Sequence, residues 1–509
     1  MAQFRHRPDA FRRHRLLHTP LTMVLAAATA LSGCAVGPDF VAPAAPAVAT
    51  YIPDQSTALV TSGAGQGSQQ MVVGASLQPD WWTLFGSSEL SATVEMALAN
   101  NRELAAAQAN VARAVHGIAA AKGAWMPQVD GSASIRRQKV GASTLGPSAF
   151  TFPTFSAYSG GVEVSYDIDL FGGIGRRVEQ AAAEAEAERQ KLNAVRLVVA
   201  GGVVISALQI AATRAQMEAV EDIVRSDERT LTLVRDANAS GMASGIDLAL
   251  AQSQLDRDRA LLPPLRQQLS AAENALAVLV GKAPAEWRAP EFELELLNLP
   301  VKVPLVIPSD LVRARPDIRA AEASLHAANA AIGVATADLY PHINLSAGIA
   351  GEGLTSGGFE SAWGLVGGIV GPIFDGGTLK ARRKQAVAAY EASLAQYQQT
   401  VLQAFQQVAD ALYGLSNTAE AIRAQQNALA SATEALELTR HGFANGSAGV
   451  IQILDAQRLH QLARIELIQA RTQRYVQTVN LFVAMGGGVS DDDPPADECL
   501  ASCPLARAQ

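Results

Sequence analysis

The chain has 509 residues, of which 49% are hydrophobic, 5% aromatic and 17% charged. This composition can bury a large apolar core, which excludes a chain that is disordered throughout. The formal net charge of −8 argues against nucleic-acid binding, for which a basic domain or stripe is expected. The three cysteines cannot build a disulfide framework. Cys499 and Cys503 fall in an Asp- and Pro-rich tail, and the sequence leaves open whether they form a disulfide.

The N-terminus has the pattern of a secretory signal peptide. Residues 1–20 carry five arginines and one Asp, and the apolar run at 21–31 is too short to span a bilayer. The run ends in Leu-Ser-Gly-Cys at 31–34, which resembles the lipobox of bacterial lipoproteins. The resemblance implies that the signal peptide is residues 1–33, that Cys34 carries a covalent lipid, and that Ala35 directs the protein to the outer membrane. The alternative is a chance match behind an ordinary signal peptide.

The rest of the chain contains an internal duplication. Residues 34–80 are rich in Pro, Ala, Gly and Ser without a lasting period, which predicts a lipid-anchored N-terminal tether. Beyond it, similar sequence recurs about 205 residues apart. Two long copies indicate a duplicated unit rather than a solenoid. The predicted parts are a first repeat at 81–300, a second repeat at 301–488 and a flexible C-terminal tail at 489–509.

Each repeat is predicted to contain a helical stretch followed by a β-hairpin, at 127–172 and at 341–374. Apolar and polar residues alternate there, most strictly at 162–170. Strands of about ten residues with one apolar and one polar face fit a transmembrane β-barrel. The alternative is a soluble hairpin packed on helices.

Long helices follow each hairpin, over 174–281 in the first repeat and 377–486 in the second. The first helix of each pair has no proline for more than 60 residues, which corresponds to about 100 Å of helix. Such a length indicates a coiled-coil-like assembly that spans a space. A glycine-rich turn ends each long helix, and Pro263-Pro264 predicts a break in the first returning helix.

One stretch of the first long helix, residues 197–213, has no charged residue and is near the lower length limit for a membrane helix. Gly201, Gly202 and Gln209 interrupt its apolar character. We therefore predict a helix–helix seam there rather than a membrane span.

The sequence contains none of the catalytic motifs H-E-x-x-H, P-loop, G-x-S-x-G or C-x-x-C. The eight histidines are scattered and do not suggest a metal-ligand set. We predict that the protein is not an enzyme, binds no metal, and has no cofactor apart from the lipid on Cys34.

Several motifs resemble signatures of TolC-type outer-membrane efflux factors. They are DWWTLF at 80–85, DLFG at 169–172, RPDIRAAE at 315–322 and GPIFDGG at 371–377. The segment CAVGPDF at 34–40 is similar to the mature start of the lipoprotein branch of this family, the OprM/NodT-like subgroup. The resemblance covers residues 34–488.

The resemblance implies an α+β membrane protein whose repeated unit is a β-hairpin plus a long α-helical hairpin. Four strands per chain cannot close a barrel, so chains must share one. The strand count alone allows a dimer with eight strands or a trimer with twelve. The resemblance implies the homotrimer, with a 12-stranded β-barrel continuous with a periplasmic α-helical barrel.

The function implied by the resemblance is that of the outer-membrane channel of a tripartite resistance–nodulation–division-type efflux system. It would passively export small molecules from the periplasm. The implied partners are a periplasmic adaptor (membrane fusion) protein, an inner-membrane transporter and outer-membrane lipid, with no nucleic acid.

The resemblance also implies a periplasmic gate just past the two helix turns, at Asp247 and Asp455. Gln452 stands nearby where the family often has an acid. The alternatives are a helix cap for Asp247 and a solvated helix face for Asp455.

Two other functions remain possible at this point. A type I protein-secretion channel has the same fold, and lipidation favours efflux over it. A periplasmic adaptor lipoprotein would have only one helical hairpin, so the duplication argues against it. The sequence leaves the transported compounds open.

Overall fold

The computed structural model describes residues 35–53, 69–139, 154–354 and 357–488. The predicted signal peptide, Cys34 and the C-terminal tail with Cys499 and Cys503 lie outside these residues. The strands are β1 Gln70–Val73, β2 Gln128–Gln138, β3 Phe155–Ile168, β4 Lys302–Leu305, β5 His342–Leu354 and β6 Phe359–Val370. The helices are α1 Ser88–Asn100, α2 Arg102–Gly123, α3 Gly173–Ala239, α4 Gly245–Arg259, α5 Leu262–Leu279, α6 Pro308–Ala314, α7 Pro316–Ala337, α8 Thr378–Ala444 and α9 Val450–Ala484.

The described residues divide into two compact units, and each unit takes parts of both sequence repeats. The first unit lies within Met1–Val41, His116–Ala183 and His326–Ala392. The second unit lies within Ala42–Val115, Glu184–Leu325 and Ser393–Gln509. The compact units therefore do not coincide with the duplicated segments.

In the first unit, the two predicted hairpins join into one antiparallel sheet with the strand order β2-β3-β5-β6. The contact between the repeats is β3 against β5, for example Val162 opposite Ile349. Strand β5 extends to Leu354, beyond the alternating apolar and polar residues at 343–349. Gly351 makes this extension possible, because a Cβ there would overlap the ring of Phe359 on β6. Strand β6 ends just before Gly371-Pro372, where the proline has no N–H to donate.

In the second unit, the long helices pack around a core that includes the DWWTLF motif. Trp81 and Phe85 are almost completely buried and pack near Phe482 of α9. The buried guanidinium of Arg315 donates a hydrogen bond to the carbonyl of Ala484 (2.7 Å) and pairs with Asp317. The RPD motif therefore attaches the start of α7 to the end of α9.

Each predicted helical stretch before a hairpin is divided in two. In the first repeat, Asn101 accepts a hydrogen bond from Leu104 N (3.0 Å), so it ends α1 and caps α2. In the second repeat, Arg315 has an extended backbone before Pro316, as the residue before a proline usually does. Both breaks have a local cause that the alanine-rich pattern does not reveal.

The long helices agree closely with the sequence prediction. Helices α3 and α8 have 67 residues each, and they start within one residue of the predicted positions 174 and 377. The break at Pro263-Pro264 is confirmed, because α4 ends at Arg259 and α5 starts at Leu262. Positions 263 and 264 lie in the first turn of α5, where a proline removes no helical hydrogen bond.

Helix α3 is the one described helix that is long and apolar enough to cross a membrane by length and composition. Half of the residues in its most apolar window are buried inside the protein. Val203, Val204 and Leu208 belong to the core, and a Cβ on Gly201 would lie 2.8 Å from a methyl group of Val483 on α9. The predicted helix–helix seam is confirmed.

The segment predicted as a tether also contains ordered structure. Strand β1 pairs in parallel with β4, with Gln70 opposite Lys302. The Tyr51 hydroxyl donates a hydrogen bond to the carbonyl of Val306 (2.8 Å). Alternation over four residues is too short to predict a strand from the sequence.

Candidate functional site

The sheet of the first unit has an apolar face made by all four strands. The cross-strand register places Val129, Val164, Ala347 and Leu365 in one row. Val162, Ile349 and Trp363 lie in another row on the same face. Trp363 is 82% exposed and Leu365 is 76% exposed. No described helix covers these two side chains, which argues against a soluble hairpin packed on helices.

The opposite face of the sheet is polar and carries more acidic than basic residues. Asp130 lies directly opposite Glu163, and Glu352 lies directly opposite Glu360. Such pairs of like charges are unfavourable unless water or cations separate them. Asn344 donates a hydrogen bond to Asp167 (2.7 Å) on the same face. This face is therefore suited to contact with water and cations.

The two outer strands each have a free edge within the described part of the chain. Strands β2 and β6 have 11 and 12 residues, and each pairs on one side only. A long unpaired edge next to an exposed apolar face is a template for pairing with another chain. The sheet is therefore incomplete as a single copy.

In the second unit, two turns connect the long helices to the returning helices. Gly241 and Gly446 each have a φ of about +75°, a left-handed conformation that glycine adopts without strain. Ser244 precedes α4 as its N-cap and forms a capping box with Asp247. The Asp247 carboxylate accepts hydrogen bonds from Ser244 N and Ser244 Oγ, each 2.8 Å long. These bonds lower the pKa of Asp247 below its usual value.

Gln452 has the corresponding position in the second repeat. Its side-chain oxygen accepts a hydrogen bond from Gly449 N (3.0 Å) at the start of α9. Gly449 has no side chain, so only this half of a capping box forms. Asp247 and Gln452 both line one cavity of about 930 Å³, together with Arg229, Arg440 and Phe443.

Asp455, the third residue predicted for the gate, is separate from this cavity. It is exposed on α9 and forms an ion pair with Arg458 (2.9 Å), one turn further along the helix. The structure thus brings Asp247 and Gln452 to one cavity and leaves Asp455 on an adjacent exposed face. Within a single chain, Asp247 also has the capping role that was the alternative to the gate.

The residues that follow Cys34 form an extended strap on the first unit. Val36 N donates a hydrogen bond to the carbonyl of Phe171 (3.1 Å), next to the end of β3. The Phe40 ring stacks on His326, with 4.4 Å between the ring centroids. Asn329 donates a hydrogen bond to the carbonyl of Pro38 (2.9 Å). Residues 35–40 of the CAVGPDF motif are therefore held beside the end of a sheet strand.

Arg176 of α3 is the buried centre of this strap. Its guanidinium forms ion pairs with Asp39 (2.7 Å) and Glu179 (2.8 Å) and donates to the carbonyl of Val36 (3.3 Å). Glu179 also contacts His326 (2.9 Å). Burial opposes the charged form of Arg176, but its hydrogen bonds to Asp39 and Glu179 outweigh this effect, so its pKa is raised. Arg176 was not predicted from the sequence, because nothing local distinguishes it from the adjacent Arg177.

The aspartates of the DLFG and GPIFDGG motifs start the two long helices. Asp169 accepts a hydrogen bond from Gly175 N (2.8 Å) in the first turn of α3. Asp375 accepts hydrogen bonds from Gly377 N (2.8 Å) and Leu379 N (2.6 Å) at the start of α8. A carboxylate at a helix N-terminus satisfies free N–H groups and matches the helix dipole. These motif residues connect each hairpin to its long helix.

The described residues contain no group of three or more His, Cys, Asp or Glu side chains that could hold a metal ion.

Known proteins resemble the chain over most of its length. The profile of the family described as "Outer membrane efflux protein" matches residues 93–282 and 307–487, more than half of the chain. The antibiotic efflux pump outer membrane protein ArpC of Pseudomonas putida is 31% identical over 469 residues, which are 90% of this chain and 93% of ArpC. The pyoverdine export outer membrane protein OpmQ of Pseudomonas aeruginosa is 30% identical over 417 residues, which are 81% of this chain and 88% of OpmQ.

Solved structures give the same result for the fold. The structure of the outer-membrane channel OprN has a TM-score of 0.76 and 26% identity, and the alignment covers 89% of this chain and 99% of that one. The fold is that of an outer-membrane channel protein, mostly helical with strands. The chain belongs to the outer membrane efflux protein family. The resemblance inferred from the four sequence motifs is confirmed.

Proposed function

We propose that three copies of this chain form the outer-membrane channel of a tripartite efflux system. Each copy contributes four strands to a closed 12-stranded barrel in the outer membrane. The long helices of the three copies form a helical barrel that extends through the periplasm. Transport through the channel is passive, and the energy comes from an inner-membrane transporter of the resistance–nodulation–division type.

The four-stranded sheet is the observation that carries the proposal. A sheet in a bilayer must leave no free edge, because lipid cannot satisfy unpaired N–H and C=O groups. Pairing β6 of one copy with β2 of the next removes both free edges at once. The face with Trp363 and Ile349 then contacts lipid, and the face with Glu163 and Glu352 lines the pore. This is the alternation expected for a membrane barrel with a polar lumen.

A trimer is also the assembly that gives the barrel an open lumen. Eight strands from a dimer leave an interior that side chains fill, whereas the interior widens as strands are added. Twelve strands from a trimer are therefore better suited to conduction.

Three residues near the helix turns form the proposed gate. In a trimer, three copies each of Asp247, Asp455 and Gln452 surround the axis as rings. Rings of carboxylates favour cations, and in the closed state nearby cations or arginines must offset their mutual repulsion. The proximity of Asp247 and Gln452 to one cavity supports this assignment.

The proposed lipid site is Cys34, which places an acyl anchor in the outer membrane. The strap of residues 35–40 supports it, because Val36 is held against Phe171 beside the end of β3. In the proposed barrel, that strand end is at a membrane boundary. A lipid two residues before Val36 then lies close to the bilayer surface without crossing the pore.

A periplasmic adaptor docks at the helix turns in this proposal. Exposed apolar side chains lie there, including Met242 at 80% exposure, Ile246 at 73% and Ile451 at 63%. Apolar groups at a turn favour contact with another protein. The cargo class is small organic compounds, by analogy with the antibiotics and pyoverdine named for the relatives ArpC and OpmQ.

Conductance of the purified protein in a planar bilayer tests the proposal. We expect a cation-selective channel from a species that sediments as a trimer. Replacing Glu352 and Glu360 with Gln lowers the cation-to-anion permeability ratio, because both residues face the lumen. The matched control replaces Glu293 and Glu295, two exposed acids outside the sheet, with Gln and leaves the ratio unchanged. A monomeric protein without conductance, or equal effects of the two double variants, would overturn the proposal.

A further inference from the structure

Two acidic side chains are buried against each other where three helices of the second unit pack together. Asp227 of α3 is 3% exposed and Asp258 of α4 is 5% exposed. Leu231, one turn after Asp227, and Leu255, one turn before Asp258, pack in the same apolar cluster, which brings the two carboxyl groups close together. Asp227 falls in the apolar stripe of α3, between Ile223 and Leu231, which are both buried. A seam position of this kind normally holds an apolar residue.

The two carboxyl groups have different hydrogen-bond partners. Asp258 accepts hydrogen bonds on both oxygens, from Gln254 of the same helix (2.8 Å) and from Gln461 of α9 (3.1 Å). Neither oxygen of Asp227 accepts a hydrogen bond from a donor in the described part of the chain. A buried carboxylate without donors is so unfavourable that the group takes up a proton instead. Asp227 is therefore the member of the pair that keeps a proton, whereas the amide donors of Gln254 and Gln461 satisfy the oxygens of Asp258.

Six arginines on the surrounding helices contact groups other than Asp227 and Asp258. Arg464 of α9 and Arg225 of α3 pair with Asp222. Arg259 of α4 pairs with Glu228 and lies near Asp256, and Arg440 of α8 contacts Glu437 and Ser226. Arg257 donates to the carbonyl of Ser253, and Arg458 pairs with Asp455. Burial and the nearby arginines lower the pKa of His460, so it is neutral at pH 7.

Among the described residues, no cation forms an ion pair with Asp227 or Asp258. A second negative charge on this pair would therefore be uncompensated. Burial, together with the hydrogen bond and charge of Asp258, raises the pKa of Asp227 to about 8.

We propose that Asp227 and Asp258 share one proton and act as a pH-sensitive contact between α3 and α4. With the proton bound, the carboxyl pair holds the two helices together by a hydrogen bond. When the proton leaves, two carboxylates face each other in a water-poor seam, and their repulsion favours separation of the helices.

The position of the pair gives this contact a structural consequence. Asp227 lies roughly 18 Å from the end of α3, at 1.5 Å per residue. A small apolar cluster fills the seam between the pair and the helix turns, formed by Leu231, Val234, Ala251, Leu255 and Val450. This apolar cluster holds the turns that carry Asp247 and Gln452 in position. If α3 separates from α4 at the Asp227–Asp258 pair, the cluster becomes exposed. An effect of this contact on channel gating rests on the proposed function. The proton shared by Asp227 and Asp258 does not.

Proton linkage fixes the direction of the pH effect. In the closed seam Asp227 holds its proton up to about pH 8, whereas in an opened seam it has the ordinary Asp pKa of about 3.9. Between these values the opened form binds fewer protons, so the opening equilibrium constant rises about tenfold per pH unit. The rise stops above about pH 8, where both forms have lost the proton.

Hydrogen exchange of the full-length protein tests the inference. The measurement compares peptides from 222–234 and 248–259 between pH 6 and pH 9, corrected for the intrinsic exchange rate. In the wild type we expect the opening constant to rise about fiftyfold from pH 6 to pH 8 and about a hundredfold by pH 9, where it levels off. Asp227→Asn retains a donor to Asp258 but has no proton to lose, so its opening constant stays flat. Asp256→Asn, which removes an exposed acid from the same helix, behaves as the wild type.

A second variant and a second measurement keep the test decisive if Asp227→Asn folds poorly. Asp258→Asn supplies an amide donor to Asp227 and removes the repulsion, so it too flattens the pH profile. Infrared difference spectra between pH 6 and pH 9 should contain a carboxylic-acid carbonyl band that is absent from Asp227→Asn. A flat wild-type exchange profile, or a carbonyl band that persists in Asp227→Asn, would overturn the shared proton. Neither result depends on whether the protein conducts.

Discussion

Asp247 and Gln452 hold the same position in the two sequence repeats, as the third residue of the helix that follows each turn. Each side chain accepts a hydrogen bond from the backbone N–H three residues earlier, 2.8 Å from Ser244 N and 3.0 Å from Gly449 N. The duplication has thus preserved the hydrogen bond and changed the charge. In a threefold assembly this position would carry three carboxylates and three amides instead of six carboxylates, which reduces the repulsion at the proposed gate.

The first prediction concerns this gate. Asp247→Asn and Asp455→Asn each remove one carboxylate ring, so each should weaken cation selectivity and block by divalent cations. The double variant should have the largest effect, and all variants should still assemble as trimers. Single-channel recording in planar bilayers measures the three properties. Asp236→Asn is the control, because it removes an exposed acid near the first turn that is not assigned to the gate. If all variants match the wild type, Asp247 is only a helix cap and Asp455 only part of a solvated helix face.

The second prediction concerns the lipid face of the sheet. Ile349 lies within β5, opposite Val162 and Trp363, whereas Ile168 is the last residue of β3. Ile349→Arg should therefore cost roughly 2–4 kcal/mol of barrel stability, and Ile168→Arg only about 0–1 kcal/mol near the interface. Urea denaturation in lipid bilayers measures both values. Ala350→Arg is the matched control, since the adjacent residue points to the polar face and an arginine there should be tolerated. Equal costs at 349 and 350 would contradict the assignment of the faces.

The third prediction concerns the strap of residues 35–40. Arg176→Ala removes the donors to Asp39, Glu179 and the Val36 carbonyl, and leaves Glu179 partly buried. Hydrogen bonds to charged groups contribute about 1.5–3 kcal/mol, so the strap should detach locally before the protein unfolds. Limited proteolysis near residue 40 and hydrogen exchange detect this release. Arg177→Ala, at the exposed neighbouring position, should leave the strap protected. A strap that stays protected in Arg176→Ala would mean that the Phe40–His326 stacking suffices.

The fourth prediction concerns the lipid on Cys34. Cys34→Ser should abolish labelling by radioactive palmitate while leaving the barrel able to insert. Cys499→Ser, which changes a cysteine in the tail, should be labelled as strongly as the wild type. Equal labelling of the Cys34→Ser variant would place the acyl group elsewhere or show that the lipobox resemblance is accidental.

The elements of this fold were largely predictable because their signals are local. Strict alternation in β3 and the absence of proline over α3 and α8 depend only on neighbours within a few residues. The two faces of the strands followed from the same alternation, most clearly at 162–170, before any strand pairing was known. The breaks at Asn101 and Arg315 were missed, because a hydrogen bond to Leu104 N and the effect of Pro316 had to be weighed against a strong alanine-rich helical pattern.

The candidate site was only partly predictable. The position of Asp247 and Gln452 after equivalent turns could be derived from the repeat. The separation of Asp455 from their cavity could not, because it depends on which side of α9 packs inward. Asp227 did leave a signal, as an acid at an apolar seam position between Ile223 and Leu231. That signal is ambiguous without the partner, since an acid in a stripe can also point to water.

The sequence by itself determined the duplication, the helix and strand periods, the turn glycines and the motifs that place the chain in its family. Tertiary structure alone decided the partners: β3 beside β5, Arg176 on the strap, and Asp227 against Asp258. The physical reason is range. Periodicity and capping act within one or two turns, whereas these contacts join residues from 31 to about 190 positions apart, and their energies depend on which groups are desolvated together.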